Sequence, residues 1–155
     1  MTKEELKQYI ESNFSELIYL ETGKYDLHFE LAADKLVEVC KKLRDDENLK
    51  FDYFANMHGV DTGEKFEIVY NLASTPNKLR IDLKLTMAYE NAEVESVQTI
   101  WPAANWFERE CWELYGINIL NHDNLTRFLL QDDWDQGFPM RKDWDAPDFI
   151  RFPEL

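Results

Sequence analysis

An α+β fold is what the sequence predicts: a two-layer sandwich, helices on one side of a mainly antiparallel or mixed sheet. Three patterns carry that prediction. Apolar residues recur at helical spacing in some segments, alternate with polar residues in others, and turn-like connections separate the strand segments. A final stretch keeps neither period, so the chain divides into an α+β domain over 1–120 and an extended C-terminal docking tail over 121–155.

Thr2 and Glu5 have the spacing of a capping box, and Leu6, Tyr9, Ile10 and Phe14 follow at helical intervals. Tyr25, Leu27, Phe29 and Leu31 then alternate with Asp26, His28 and Glu30, which predicts a strand with one wet face. Leu36, Val39, Cys40 and Leu43 predict a second helix, with Lys41, Lys42 and Arg44 complementing the dipole of its last turn.

Phe51–Met57 and Phe66–Leu72 read as strands, and His58 to Gly63 between them as a turn. Leu79 to Met87 is the clearest alternation in the chain, and a weaker strand is expected near Val94 to Ile100. Pro102 suits the first turn of a third helix, and Gly116 a left-handed C-cap at its end.

Several functions are disfavoured by composition. Seventeen basic against thirty-one acidic residues leave a net charge of −14, which opposes nucleic acid and anionic membrane surfaces alike. The longest apolar runs fall far short of the roughly 20 residues of a membrane-spanning helix. The charged start, Met1-Thr2-Lys3-Glu4-Glu5, lacks the apolar stretch of a signal peptide. A cytoplasmic location, or the cytoplasmic side of a membrane, is therefore expected.

Cys40 and Cys111 lie in helical patterns and read as buried thiols of a reducing compartment. Two cysteines do not hold an iron–sulfur cluster, which normally takes four. Glu110, Glu113 and His122 could be combined into a metal site, but they lack dedicated ligand spacing. A charge network around Glu108, Arg109, Glu110 and Glu113 that positions the helix is the better reading. There is no nucleophile elbow, P-loop or dinucleotide fingerprint, so no active site is expected on this chain.

The tail carries Leu125, Phe128, Leu129, Leu130, Trp134, Phe138, Met140, Trp144, Phe149, Ile150 and Phe152 without a period, and three of the five prolines. Apolar side chains that the domain cannot bury need another surface, so the tail predicts an obligate partner. Trp134 and Trp144 read as interface residues, and Trp101 as core.

The run from Trp106 to Ile117, WFERECWELYGI, closely resembles the signature of the C subunit of proton-pumping NADH:quinone oxidoreductase, respiratory complex I. The resemblance continues through His122, Leu125 and Arg127 to Gly137, Pro139, Met140, Arg141 and Lys142, and upstream at Gly59-Val60-Asp61. It departs where Glu113 replaces the usual aspartate, and where Asn121 and Asp123 replace a glycine and a proline around His122.

The resemblance implies a non-catalytic scaffold in the peripheral arm, on the cytoplasmic face of the cell membrane. Its partners would be the quinone-site D subunit and the cluster-bearing B subunit, with FMN and iron–sulfur clusters held by partner chains and no cofactor here. Arg127, Arg141 and Lys142 would meet acidic neighbours. The equivalent subunit of a membrane-bound hydrogenase, or of another donor-specific complex, is the alternative. A free-standing adaptor and an independent acidic enzyme are more remote.

Overall fold

A computed structural model describes residues 1–21, 26–146 and 150. Its first helix, α1 (Lys3–Asn13), starts at the predicted capping box: the Glu5 N–H donates to Thr2 Oγ1 (3.2 Å) and the Thr2 N–H to Glu5 Oε2 (2.8 Å). Both bonds satisfy amide hydrogens that the helix itself leaves unpaired. Leu6 and Ile10 face the core, and Phe14 closes the helix with its own buried ring.

The chain continues through β1 (Ile18–Leu20), β2 (Leu27–Glu30), a 3₁₀ turn at Ala33–Lys35 and α2 (Leu36–Asp45). Three long strands follow, β3 (Tyr53–Asp61), β4 (Lys65–Ser74) and β5 (Leu79–Ala88). Last come β6 (Glu93–Glu95), α3 (Ala104–Tyr115) and β7 (Asn118–Leu120). Five strands form one mixed sheet in the order β1-β2-β5-β4-β3, with β2 and β5 parallel and the other pairs antiparallel.

Alternation decides which face of this sheet is covered. Phe66, Ile68, Tyr70 and Leu72 of β4 and Ile81, Leu83 and Leu85 of β5 are buried against the helices. The other face stays half-open. There, in register across four strands, Asp82 lies 3.3 Å from His28, accepts from the Asn71 amide (2.5 Å), and Asn71 in turn accepts from Asn56 (3.1 Å). A row of paired polar groups explains how this face remains wet without orphaned donors.

The structure corrects two sequence expectations. Residues 58–61 are not a turn: β3 runs on to Asp61, and the reversal is confined to residues 62–64, where Gly63 has φ +91°. Gly59 sits within the strand because the Tyr115 ring lies against it; a Cβ there would stand 2.9 Å from the ring. Residues 94–100 do not form one strand either. Only Glu93–Glu95 is extended, and it pairs in parallel with the unforeseen β7 as a separate two-stranded sheet. Beyond it the backbone turns, because the Val97 N–H is taken by a buried carboxylate from α3 and the Val97 carbonyl accepts from Ile100 and Trp101. The short β1 was also missed, its three residues being too few to display a period. Tyr25, Phe149 and Phe152 lie outside the described residues.

The two faces predict opposite responses to truncation. Ile68→Ala is expected to cost about 2–5 kcal/mol in urea unfolding. Val69→Ala, next along β4 on the open face, should cost about 1 kcal/mol or less in the same measurement.

Candidate functional site: helix α3 and the tail

Helix α3 ends at Gly116, whose φ of +73° is the left-handed conformation a C-cap requires, and the Gly116 N–H reaches the Trp112 carbonyl at 2.9 Å. A side chain there is excluded twice over, since a Cβ would stand 2.5 Å from the Phe138 ring and 2.8 Å from Arg141 Nη2. Unusually for a helix of this length, α3 buries three charged residues: Glu108, Arg109 and Glu113 are 0%, 6% and 3% exposed. Charges removed from water cost several kcal/mol each unless fully partnered. Each of the three is partnered.

Glu108 accepts from Ser96 Oγ and from the Val97 N–H, both at 2.6 Å. His122 Nε2 lies 3.7 Å from its Oε2. The Asn124 N–H donates to His122 Nδ1 (3.1 Å), so the geometry assigns the ring proton to Nε2, directed at the Asn105 carbonyl 3.2 Å away. Burial pushes the Glu108 carboxyl above the ordinary carboxylate range, against the pull of the Ser96 hydroxyl and the Val97 N–H.

Arg109 and Glu113, one helical turn apart, grip the same piece of tail. The Arg109 guanidinium donates to the Thr126 carbonyl (2.7 Å), Thr126 Oγ1 (3.1 Å) and the Arg127 carbonyl (3.3 Å), between the rings of Trp106 and Phe128. The Glu113 carboxylate accepts from the N–H groups of Phe128 (3.2 Å), Leu129 (3.0 Å) and Leu130 (3.3 Å). The helix thus recognises tail backbone, carbonyls with the cation and amides with the anion. One side chain, Glu113, thereby reaches three successive amides.

A second anchor holds the tail farther along. The Met140 N–H donates to the Leu114 carbonyl (3.1 Å), and Arg141 Nε to the Tyr115 carbonyl (2.6 Å), while the guanidinium lies over Phe66 and Phe138. The Lys142 N–H donates to Asp61 Oδ2 (2.8 Å); Asp61 Oδ1 accepts from the Gly63 N–H (2.7 Å) and from the Tyr89 hydroxyl. Burial pushes the Asp61 carboxyl up, but Tyr89 and the two amides outweigh it and hold the group below its usual range. Trp134 and Trp144 pair with ring centroids 6.3 Å apart, their indoles donating to the Gly137 and Gln136 carbonyls. Trp101 is core, its indole bonded to the Phe51 carbonyl.

Not every sequence candidate joins this assembly. Glu110 is half-buried beside it, and Arg127 turns outward to the Asp132 carbonyl (3.2 Å). Pro139 is half-buried, and Lys142 contributes its backbone to the Asp61 anchor. The metal reading is not supported: Glu113 is engaged with tail amides and His122 with Glu108, and no cluster of three or more ligand-type side chains occurs among the described residues. Ser96 Oγ and His122 Nε2 both approach Glu108 Oε2, at 2.6 Å and 3.7 Å. Burial pushes the Cys111 thiol up to about 12 and the Cys40 thiol higher, which opposes both nucleophilic and cluster-ligating use.

Sequence reasoning missed Ser96, Thr126 and the three tail amides, and it placed Asp61 only in the expected His58–Gly63 turn and in the resemblance. The Asp61-Thr62-Gly63 run carried a usable signal, since aspartate two residues before glycine favours a side-chain-capped turn. Backbone amides carry none. Asn121 takes φ +56°, a left-handed conformation asparagine tolerates, at the place where the resembled family usually has glycine.

Held by its backbone, the tail leaves apolar side chains outside. Leu129 is 54% and Met140 52% exposed, with Phe128 and Phe138 near two-fifths and Trp106 of α3 at 56%. Phe128 leans edge-on against Trp106, ring centroids 5.2 Å apart, so the apolar surface of the tail runs on to the helix.

The sequence profile of the respiratory-chain NADH dehydrogenase 30 Kd subunit matches residues 29–149. The chain belongs to this family. The C subunit of the NADH-quinone oxidoreductase from Roseiflexus sp. (strain RS-1) is 40% identical over 121 residues, covering 76% of this chain and 69% of the relative. Its counterpart from Citrifermentans bemidjiense is 39% identical over 114 residues, covering 72% and 69%. Among solved structures, a trypsin-resistant fragment of Nqo5 superposes with a TM-score of 0.68 at 23% identity, covering 77% of this chain and 98% of that one. A chain of the membrane-bound sulfane sulfur reductase, an archaeal respiratory membrane complex, gives 0.76 at 22% identity, covering 98% and 95%. These two likenesses establish the shared fold, in agreement with the predicted α+β class.

Two measurements probe the 30 Kd family site. In Glu113→Gln, hydrogen exchange at the amides of Phe128, Leu129 and Leu130 should accelerate on the order of 10-fold or more, as charge-assisted bonds worth about 1.5–3 kcal/mol are weakened; unchanged protection would exclude the grip. Glu108 has a raised folded-state pKa, so its protonated form contributes stability fully present below the ordinary value of 4.5 and lost as pH rises through the raised one. The stability of the native chain minus that of Glu108→Gln should therefore fall with rising pH across that window, in urea titrations.

Proposed function

We propose that this chain is a non-catalytic structural subunit of the peripheral arm of NADH:quinone oxidoreductase, supporting electron transfer from NADH to quinone coupled to proton translocation. The observation that carries the reading is the tail: its backbone is hydrogen-bonded to α3, yet Leu129 and Met140 remain more than half exposed, as does Trp106 of α3. A monomer gains nothing by fastening a strap and leaving its apolar side chains in water, whereas a subunit gains a preorganised docking surface. Family membership and relatives named as the C subunit of this oxidoreductase support the assignment.

On this reading the tail docks on the quinone-site D subunit and the cluster-bearing B subunit, on the cytoplasmic face of the membrane. FMN and iron–sulfur clusters belong to partner chains. The two high-pKa thiols agree with that division, and no helix among the described residues is long and apolar enough to cross a membrane. A hydrogenase-type or other donor-specific complex is the weaker reading. Relatives near 40% identity are named for NADH and quinone, while the sulfane sulfur reductase match, at 22%, carries only the fold.

The combined substitution Leu129→Glu and Met140→Glu touches two exposed side chains and should leave the isolated chain folded by circular dichroism. Co-purification of the other subunits in mild detergent should drop on the order of 100-fold, the loss of two buried interface anchors. Full assembly of this variant would refute the docking role.

A further inference from the structure

At the end of the sheet opposite to the Lys142 anchor, a cleft of about 620 Å³ opens where β2, β3 and β5 begin and β4 ends, beside the first turn of α1. Tyr53, on its wall, and Asp61, which holds Lys142, mark the two ends of β3, about 26 Å apart at a strand's rise per residue. The cleft is therefore a different surface from the Lys142 anchor. Its floor is apolar, from Leu6, Leu27 and Leu79, and Tyr53 stands over it 54% exposed.

The rim is basic. Among the described residues, Lys3, Lys78 and Arg80 line it with one carboxylate, Asp26, in a chain of net charge −14. Lys7, Lys42, Arg44 and Lys84 each have an acidic partner on this chain. Lys35, Lys41, Lys50 and Lys65, like Lys78 and Arg80 of the rim, form no ion pair among the described residues. Two unneutralised cations beside an exposed tyrosine and an apolar floor are the features of a protein contact, where aromatic and arginine side chains are concentrated.

The chemistry also selects the class of partner. The capping box engages the Thr2 and Glu5 N–H groups, and Glu4 and Glu5 place two carboxylates in the first turn of α1, so a compact phosphate is opposed there. An anionic membrane is repelled by the strongly acidic remainder of the chain. A polypeptide bearing carboxylates, with one apolar side chain to seat beside Tyr53, matches both the rim and the floor.

We propose that this cleft is a second docking site, occupied by an acidic segment of a neighbouring polypeptide, which Lys78 and Arg80 neutralise and Tyr53 anchors. The proposal rests on the subunit reading above. It is tested in the purified complex by replacing Tyr53 with the photo-crosslinker benzoylphenylalanine and sequencing the adduct formed in light. An adduct with a stretch rich in Asp and Glu, its yield reduced about tenfold or more when Lys78→Glu and Arg80→Glu set like charges against it, is the expected result. No adduct, a lipid adduct, a peptide without acidic residues, or a yield indifferent to charge reversal overturns the proposal while co-purifying subunits leave the subunit reading standing. A chain that co-purifies with nothing overturns both.

Discussion

Burying Glu108, Arg109 and Glu113 on one helix is the constraint from which the rest of this structure follows. No isolated helix packs three charged side chains against an apolar core without a large desolvation cost. The cost is offset only if other chain segments bring polar groups to meet them. Residues 96–97 come to Glu108, residues 126–127 to Arg109 and residues 128–130 to Glu113. The irregular path of the chain on either side of α3 is thus the partner of charges the helix has already buried.

That arrangement separates holding from docking. Because α3 grips mainly carbonyls and amides, the gripped segment is held without turning its apolar side chains into the core of this chain. Phe128 instead covers the Arg109 guanidinium together with Trp106, and Leu129 turns to water. An apolar surface on a fixed backbone meets a partner with less ordering cost than the same side chains on a free tail. Conservative-looking changes on α3 therefore act at a distance, through the tail they hold.

Legibility in the sequence followed the range of the interaction. The capping box of α1, the stripe of α2, the alternation of β5 and the glycine cap of α3 are all written within a few neighbouring residues, and each is found where the residues place it. The stretch 58–63 failed because glycine was read as a turn signal when Gly59 is required by the approach of Tyr115, a residue distant in sequence. The strand near residue 94 failed because a carboxylate from α3 captures its backbone. At the site, the charged residues of α3 stood out by type, but Ser96, Thr126 and Asp61 are ordinary polar residues until the fold brings them to their partners.

By itself, then, the sequence determined the helices, the clearest strands, the family and the presence of an aperiodic apolar tail, because periodicity and signature spacing are local properties of a chain. Only the tertiary structure decided what the charges on α3 are for. Asp61 meets Lys142 across 81 residues, and Glu113 meets amides that look the same in every residue but proline. Backbone groups have no letter of their own in a sequence, so an interaction that recognises them becomes visible only when the chain is folded.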